Sequence, residues 1–179
     1  MKELQHSCAF TGHRTQKLPW KDNEQDPRFI AFRDRLKGQI AALVDSGITD
    51  FYTGMAEGTD LWAGKAVLQL RRNNPAIRLH CIIPYADQPF NDKWGMRSQV
   101  WYFRIRDAAD EVKELSRDYY DGCLLDCNRY MVDHAGTLLA VYNGEYRGGT
   151  AATVRYAQKL DRKIIIIDPT TGKISRDEW

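Results

Sequence analysis

Along this chain, apolar positions alternate between two spacings, short β-branched or aliphatic runs of four to six residues and longer stretches with one apolar residue every three or four. The short runs predict strands at His6–Phe10, Ile48–Thr53, Ile77–Ile83, Asp110–Leu115, Leu138–Tyr142 and Lys163–Ile167. Between them, helical stripes appear. Asp26-Pro27 is a capping residue followed by proline, and Phe29, Phe32, Leu36, Ile40 and Leu43 recur behind it until Asp45-Ser46-Gly47 ends the pattern. Ala63, Ala66, Val67 and Leu70 form a second stripe, and Trp94, Trp101, Ile105 and Ala108 a third. Cys123–His134 is a fourth helix, and a fifth opens at Thr150 with Val154, Ala157 and Leu160 on its inner side. The segment Lys17–Gln25 is polar apart from Leu18, Pro19 and Trp20 and is read as a mobile flap. About six strands alternating with helices predict a single α/β domain over residues 1–179. It is Rossmann-like, a doubly wound, mainly parallel sheet flanked by helices, with residues 168–179 as a polar peripheral tail.

Three of the predicted strands run directly into glycine turns. The first carries Thr11, Gly12, His13 and Arg14. The second carries Gly54, Met55, Ala56, Glu57, Gly58, Thr59 and Asp60, and the third carries Gly148, Gly149 and Thr150. In a parallel sheet these turns share one edge, beyond the carboxyl ends of the strands, where ligands bind. Two of them open helices, whose first N–H groups and positive dipole end stabilise an anion, and glycine lets the anion approach the backbone. Their convergence points to a phosphate-bearing ligand. A plain tight turn is the competing reading for any one of them.

Composition narrows the partners. The 179 residues are 43% hydrophobic, enough for one full core, and 26 basic against 24 acidic residues leave a formal charge of +2. No global field therefore draws the chain to nucleic acid or membrane. No apolar run has the length of a membrane span, and Met1–His6 lacks a signal-peptide core, which points to the cytoplasm. Cys8, Cys81, Cys123 and Cys127 are read as reduced thiols. Cys123 and Cys127 share a helical face, but no further ligands stand at zinc spacing, so no metal is expected.

The motifs Phe10-Thr-Gly-His-Arg14, Thr53-Gly-Met-Ala-Glu-Gly-Thr-Asp60, Asn128-Arg-Tyr-Met-Val-Asp133 and Tyr146-Arg-Gly-Gly-Thr150, in this order, resemble the YpsA-like family of the SLOG superfamily. That superfamily also holds the DNA-processing protein DprA and the LOG nucleotide hydrolases. The likeness runs from Cys8 to about Asp168. It implies a Rossmann-like fold binding nucleotides, nucleotide-derived signals such as an ADP-ribose-like molecule, or nucleic acid, in a branch linked to bacterial cell division. Position by position, it implies that Thr11–Arg14 and Gly54–Asp60 line the ligand cleft, that Gly148–Thr150 take phosphate, and that Asn128 and Arg129 approach from the preceding helix. Arg14 and Arg129 then bind phosphate, against the alternative of surface ion pairs. Asp60 touches a ribose hydroxyl or caps its helix, Asp133 is structural or part of the site, and no role is assigned to His13.

One departure bears on chemistry. LOG hydrolases resemble this chain at the glycine turn but carry a glutamate three residues after the glycine-threonine pair, where this chain has Thr153. A hydroxyl does not hold a proton in the range that acid/base cleavage needs. Glu57 and Asp60 remain as substitutes, which leaves open whether any reaction is catalysed. The expected function is a cytosolic ligand sensor or regulator, with a nucleotide N-glycosidase as alternative and DprA-like single-stranded DNA binding as the second. For DNA the available cations are Arg14, Lys65, Arg97, Arg104, Arg129 and Arg147, interspersed with acids, so weak binding at physiological salt is expected. A homo-oligomer is left open.

Overall fold

The computed structural model describes residues 4–91 and 93–177. Seven strands form one sheet: β1 (Ser7–Gly12), β2 (Asp50–Thr53), β3 (Arg78–Ile83), β4 (Glu111–Glu114), β5 (Thr137–Val141), β6 (Lys163–Ile167) and β7 (Ile174–Asp177). Their spatial order is β4-β3-β2-β1-β5-β6-β7, parallel throughout except for the last pair. The helices are α1 (Pro27–Asp45), α2 (Thr59–Arg71), α3 (Gln88–Asn91), α4 (Met96–Ala108), α5 (Cys123–Asp133) and α6 (Gly149–Lys159). This is the doubly wound α/β architecture that the alternating pattern predicts. Strand order reverses between β1 and β5, so the chain leaves the two strands in opposite directions and a crevice opens above them.

Side-chain alternation along β1 divides the interior. Cys8 and Phe10 face one layer, with α1, α2 and α4, whereas Ala9 faces the other, with α5 and α6. α1 starts where Asp26 Oδ1 accepts the Arg28 N–H at 2.8 Å, and its stripe from Phe29 to Leu43 is buried against the sheet. Burying each such side chain stabilises the fold by roughly 1.5–3 kcal/mol before chain entropy is subtracted. The third stripe needs adjusting. Trp94 is buried but precedes α4, Tyr102 and Ile105 face the core, and Ala108 is exposed.

Two further expectations change. The segment Lys17–Gln25 is not a loose flap, because Trp20 is buried and stacks on Phe32 with ring centroids 4.8 Å apart and its neighbour Leu18 is also buried. Trp62, which borders this cluster, donates from Nε1 to Glu24 at 3.2 Å and ties down the far end of the segment. The polar stretch after β6 also carries a strand. Asp168 Oδ1 accepts the N–H groups of Thr170 and Thr171, Gly172 takes a positive φ of 73°, and the reversal lays β7 antiparallel on β6. Its pattern escapes a hydrophobic search because Ser175 and Arg176 face solvent at the sheet edge.

Candidate functional site

The turns after β1 and β2 are built against each other. Thr59 donates from Oγ1 to the His13 carbonyl at 3.0 Å, and its side chain lies where a β-carbon on Gly12 would stand, 2.5 Å away. Gly58, at φ 94°, answers from the other side, where a β-carbon would come within 3.0–3.1 Å of the backbone of His13, Arg14 and Thr15. Packing between the turns alone requires glycine at both positions, and the positive φ adds to it at Gly58. The second turn is braced internally. Thr53 Oγ1 donates to the Asp60 carbonyl at 3.0 Å and accepts the Met55 N–H at 3.3 Å, while Asp60 Oδ2 accepts the Ala56 N–H at 3.2 Å.

The β1 turn also bridges the switch point. The His13 N–H donates to the Val141 carbonyl at 3.1 Å, and His13 Nε2 lies 2.9 Å from Asn143 Oδ1. Asn143 thus fixes an imidazole that the sequence left without a partner. After β5, Gly148 takes φ 108° and places α6 with no side chain capping its N-terminus. The N–H groups of Gly149, Thr150 and Ala151 precede the first intrahelical bond, which runs from Ala152 to the Gly148 carbonyl at 3.0 Å. Lys17 lies beside this turn. Its Nζ donates to Glu145 Oε2 at 2.8 Å and would be 3.5 Å from a β-carbon on Gly148.

Between these turns lies a cleft of about 400 Å³. Thr11, Gly12, His13, Arg14, Gly54, Ala56, Asp60, Asn128, Gly148, Gly149 and Thr150 line it, together with Gln16, Lys17, Pro84, Gln88, Leu124, Cys127 and Arg147. Within this lining Asp60 is the one acid among the described residues. Burial pushes its carboxyl up to about 7, against the smaller opposing effects of the Ala56 N–H and the Arg14 charge. The Cys127 thiol, raised by burial and donating to the Ile82 carbonyl at 3.3 Å, is an inert wall.

Five residues expected in the site stand outside this lining. Met55 is fully buried in the core, and Gly58 and Thr59 pack the turns as described. The Glu57 carboxylate turns to the opposite side of the β2 turn, where it accepts from Thr15 Oγ1 and the Gly95 N–H, each at 3.4 Å, in a separate pocket near Trp62 and Trp101. Arg129 follows Asn128 by one position, about 100° round the helix, and pairs instead with Asp126 at 3.5 Å beside the Tyr156 ring. Asp133 lies on the same outer side and accepts from the Tyr156 hydroxyl at 2.8 Å. Gln16, Lys17, Pro84 and Gln88 were missed because no glycine motif marks them. Pro84 and Gln88 follow the end of β3, and position past a parallel strand is the one signal that points to them.

A mainly parallel sheet with its cleft at the β1/β5 switch point defines a Rossmann-like α/β protein. Residues 8–170 match the family model YpsA, described as the YspA SLOG family, and the chain belongs to that family. It is 23% identical over 163 residues to a UPF0398 protein of Enterococcus faecalis, covering 90% of this chain and 89% of that one. It is 32% identical over 143 residues to the SPbeta prophage-derived protein YoqJ of Bacillus subtilis, covering 70% and 81%. Among solved structures, DNA processing protein A of Helicobacter pylori, which binds single-stranded DNA, superposes with a TM-score of 0.61 at 14% identity. The match covers 92% of this chain and 66% of that one, and the likeness is one of fold. No helix of the described residues is long and apolar enough to cross a membrane.

Proposed function

We propose that the cleft binds a phosphate-bearing, nucleotide-derived ligand and that the protein acts as a ligand-responsive regulator. The observation that carries this reading is the uncapped N-terminus of α6 on the cleft wall, with Arg14, Lys17 and Arg147 lining the same cleft. Backbone N–H groups, the helix dipole and three cations favour an anion there, and the cations add charge-assisted bonds. The remaining volume suits a nucleoside more than phosphate alone.

A hydrolytic role has less support. Glycosidic cleavage by the LOG route draws on a glutamate after the glycine turn, yet Asp60 is the one carboxylate in the cleft lining among the described residues, and Thr153, at the glutamate's position, donates its hydroxyl to the Gly149 carbonyl at 2.7 Å. Single-stranded DNA is supported by the fold likeness alone. Of the six candidate cations, Arg14 and Arg147 line the cleft, whereas Arg97 pairs with Glu24 at 3.3 Å and Lys65 and Arg104 lie over Trp101.

The test is calorimetric titration with nucleoside mono- and diphosphates and ADP-ribose, on the wild type and on Gly149→Leu. A β-carbon at Gly149 meets nothing within 4 Å, so the backbone there admits a side chain, and leucine adds bulk at the turn. Saturable binding that drops about tenfold or more in the variant is expected. No binder in any class, or binding indifferent to the substitution, overturns the reading.

A further inference from the structure

Gln88 is almost wholly enclosed, 1% exposed, yet it belongs to the cleft wall. Its Nε2 donates to the Gly54 carbonyl at 3.1 Å. That bond fixes which end of the amide is oxygen, because the reversed amide would set two carbonyl oxygens against each other. The oxygen so fixed, Oε1, has no partner among the described residues. A buried acceptor left unmade is costly and uncommon, and one carried by a side chain that lines a cleft points to a ligand group that satisfies it.

The main chain that carries this side chain is held on both sides. The Gln88 N–H donates to the Tyr85 carbonyl at 3.2 Å, and the next carbonyl, of Pro89, accepts from Gln99 Nε2 at 3.1 Å. Pro84, Leu124 and Cys127 line the same cleft, and the Cys127 thiol is already committed to Ile82. At an atom this enclosed an ammonium or guanidinium is disfavoured, because one amide oxygen does not offset its desolvation, so the missing donor is neutral.

Position narrows it further. Gln88 follows β3 and the α6 turn follows β5, three strand spacings away in the sheet order, or about 14 Å at ~4.8 Å per strand. Inorganic phosphate at α6 does not span that gap. The base of a nucleotide anchored there does.

We propose that Gln88 reads the exocyclic amino group of a nucleobase, so that the cleft selects amino-bearing over oxo-bearing bases. The inference rests on the nucleotide-binding reading above and adds to it the class of base. An oxo group would face Oε1 with a second acceptor, and the ring N–H that oxo bases carry lies one position over, so a site built to take a donor at the exocyclic position disfavours them.

The experiment compares adenosine with inosine 5′-monophosphate and cytidine with uridine 5′-monophosphate by calorimetry. Ribose 5-phosphate serves as a third arm on the wild type. The expected result is affinity about tenfold or more higher for the amino member of each pair, lost in Gln88→Met and in Gln88→Leu, neither of which carries an acceptor. Equal affinity within the pairs while ribose 5-phosphate still binds overturns the base-reading role and leaves the phosphate site standing. A preference that persists in Gln88→Met overturns it as well. Absence of binding in all three arms overturns both readings. Should Gln88→Met not fold, Gln88→Leu and the wild-type pairs decide the matter.

Discussion

The methyl and hydroxyl of Thr59 occupy the space that a β-carbon on Gly12 would need, each 2.5 Å from its ideal position, so the first two turns of the cleft are locked by one glycine and one threonine. Neither contact can open without separating β1 from the start of α2. Gly12→Ala is therefore expected to cost about 1–3 kcal/mol by overpacking, and Thr59→Ala about 1 kcal/mol through the lost bond to the His13 carbonyl. Urea denaturation of both variants checks this. A Gly12→Ala protein as stable as the wild type would show that the turns are not packed against each other in solution.

Asp60 gives stability a pH dependence. Its carboxyl, at 3.8 in an unfolded chain, rises to about 7 when buried, so the folded state holds the proton more tightly. That contribution is fully present below about pH 4 and is lost as pH rises through about 7. Asp60→Asn keeps an acceptor for the Ala56 N–H and carries no charge. The variant is expected to match the wild type near pH 4 and to exceed it by roughly 1–4 kcal/mol at pH 8. Denaturant titrations at the two pH values measure the difference, and a gap that is the same at both would contradict the assignment.

The segment between the β1 turn and α1 supplies a sharper contrast between sequence and structure. Trp20→Ala removes a buried ring stacked on Phe32 and is expected to cost about 3–5 kcal/mol. Limited proteolysis is expected to cut residues 17–25 rapidly in that variant and slowly in the wild type. Rapid cleavage of both would restore the mobile-flap reading.

Lys17 and Glu145 face each other across the mouth of the cleft, and hydrogen bonds from Lys17 and Asn143 hold the Glu145 carboxyl below its ordinary range. A phosphate at α6 competes with Glu145 for the same ammonium. Glu145→Gln is expected to tighten nucleotide binding severalfold at low salt, with the gain shrinking as ionic strength rises. Unchanged or weaker binding in the variant would show that Lys17 plays no part in holding the ligand.

What the residue pattern reveals here follows from which interactions are local. β1, β2, β3, β5 and β6 are legible because they bury apolar residues against helices on the sheet faces, whereas β4 is exposed along its length at the sheet edge and is marked only by its place between α4 and α5; the α1 start is legible because Asp26 and Pro27 act within one turn. β7 is not, since its pairing with β6 depends on the Asp168 reversal and its outward residues are polar. Within the site, glycine turns mark the backbone but not the direction of side chains. Glu57 and Asp60 are three residues apart, yet the tight β2 turn sends one to each side of it. Gln88 carries no motif at all, and its place in the cleft depends on the order of strands across the sheet.

Amide mapping by NMR, titrating ¹⁵N-labelled protein with adenosine 5′-monophosphate, tests whether the cleft at the β1/β5 switch point holds a nucleotide. Saturable shifts concentrated at Gly12–Arg14, Ala56, Gln88 and Gly148–Ala151 are the expected result, with the Arg129 and Lys159 amides unmoved as references on the outer face. Shifts centred on Arg129 and Tyr156, or none at saturating nucleotide, would contradict a nucleotide site at the β1/β5 switch point.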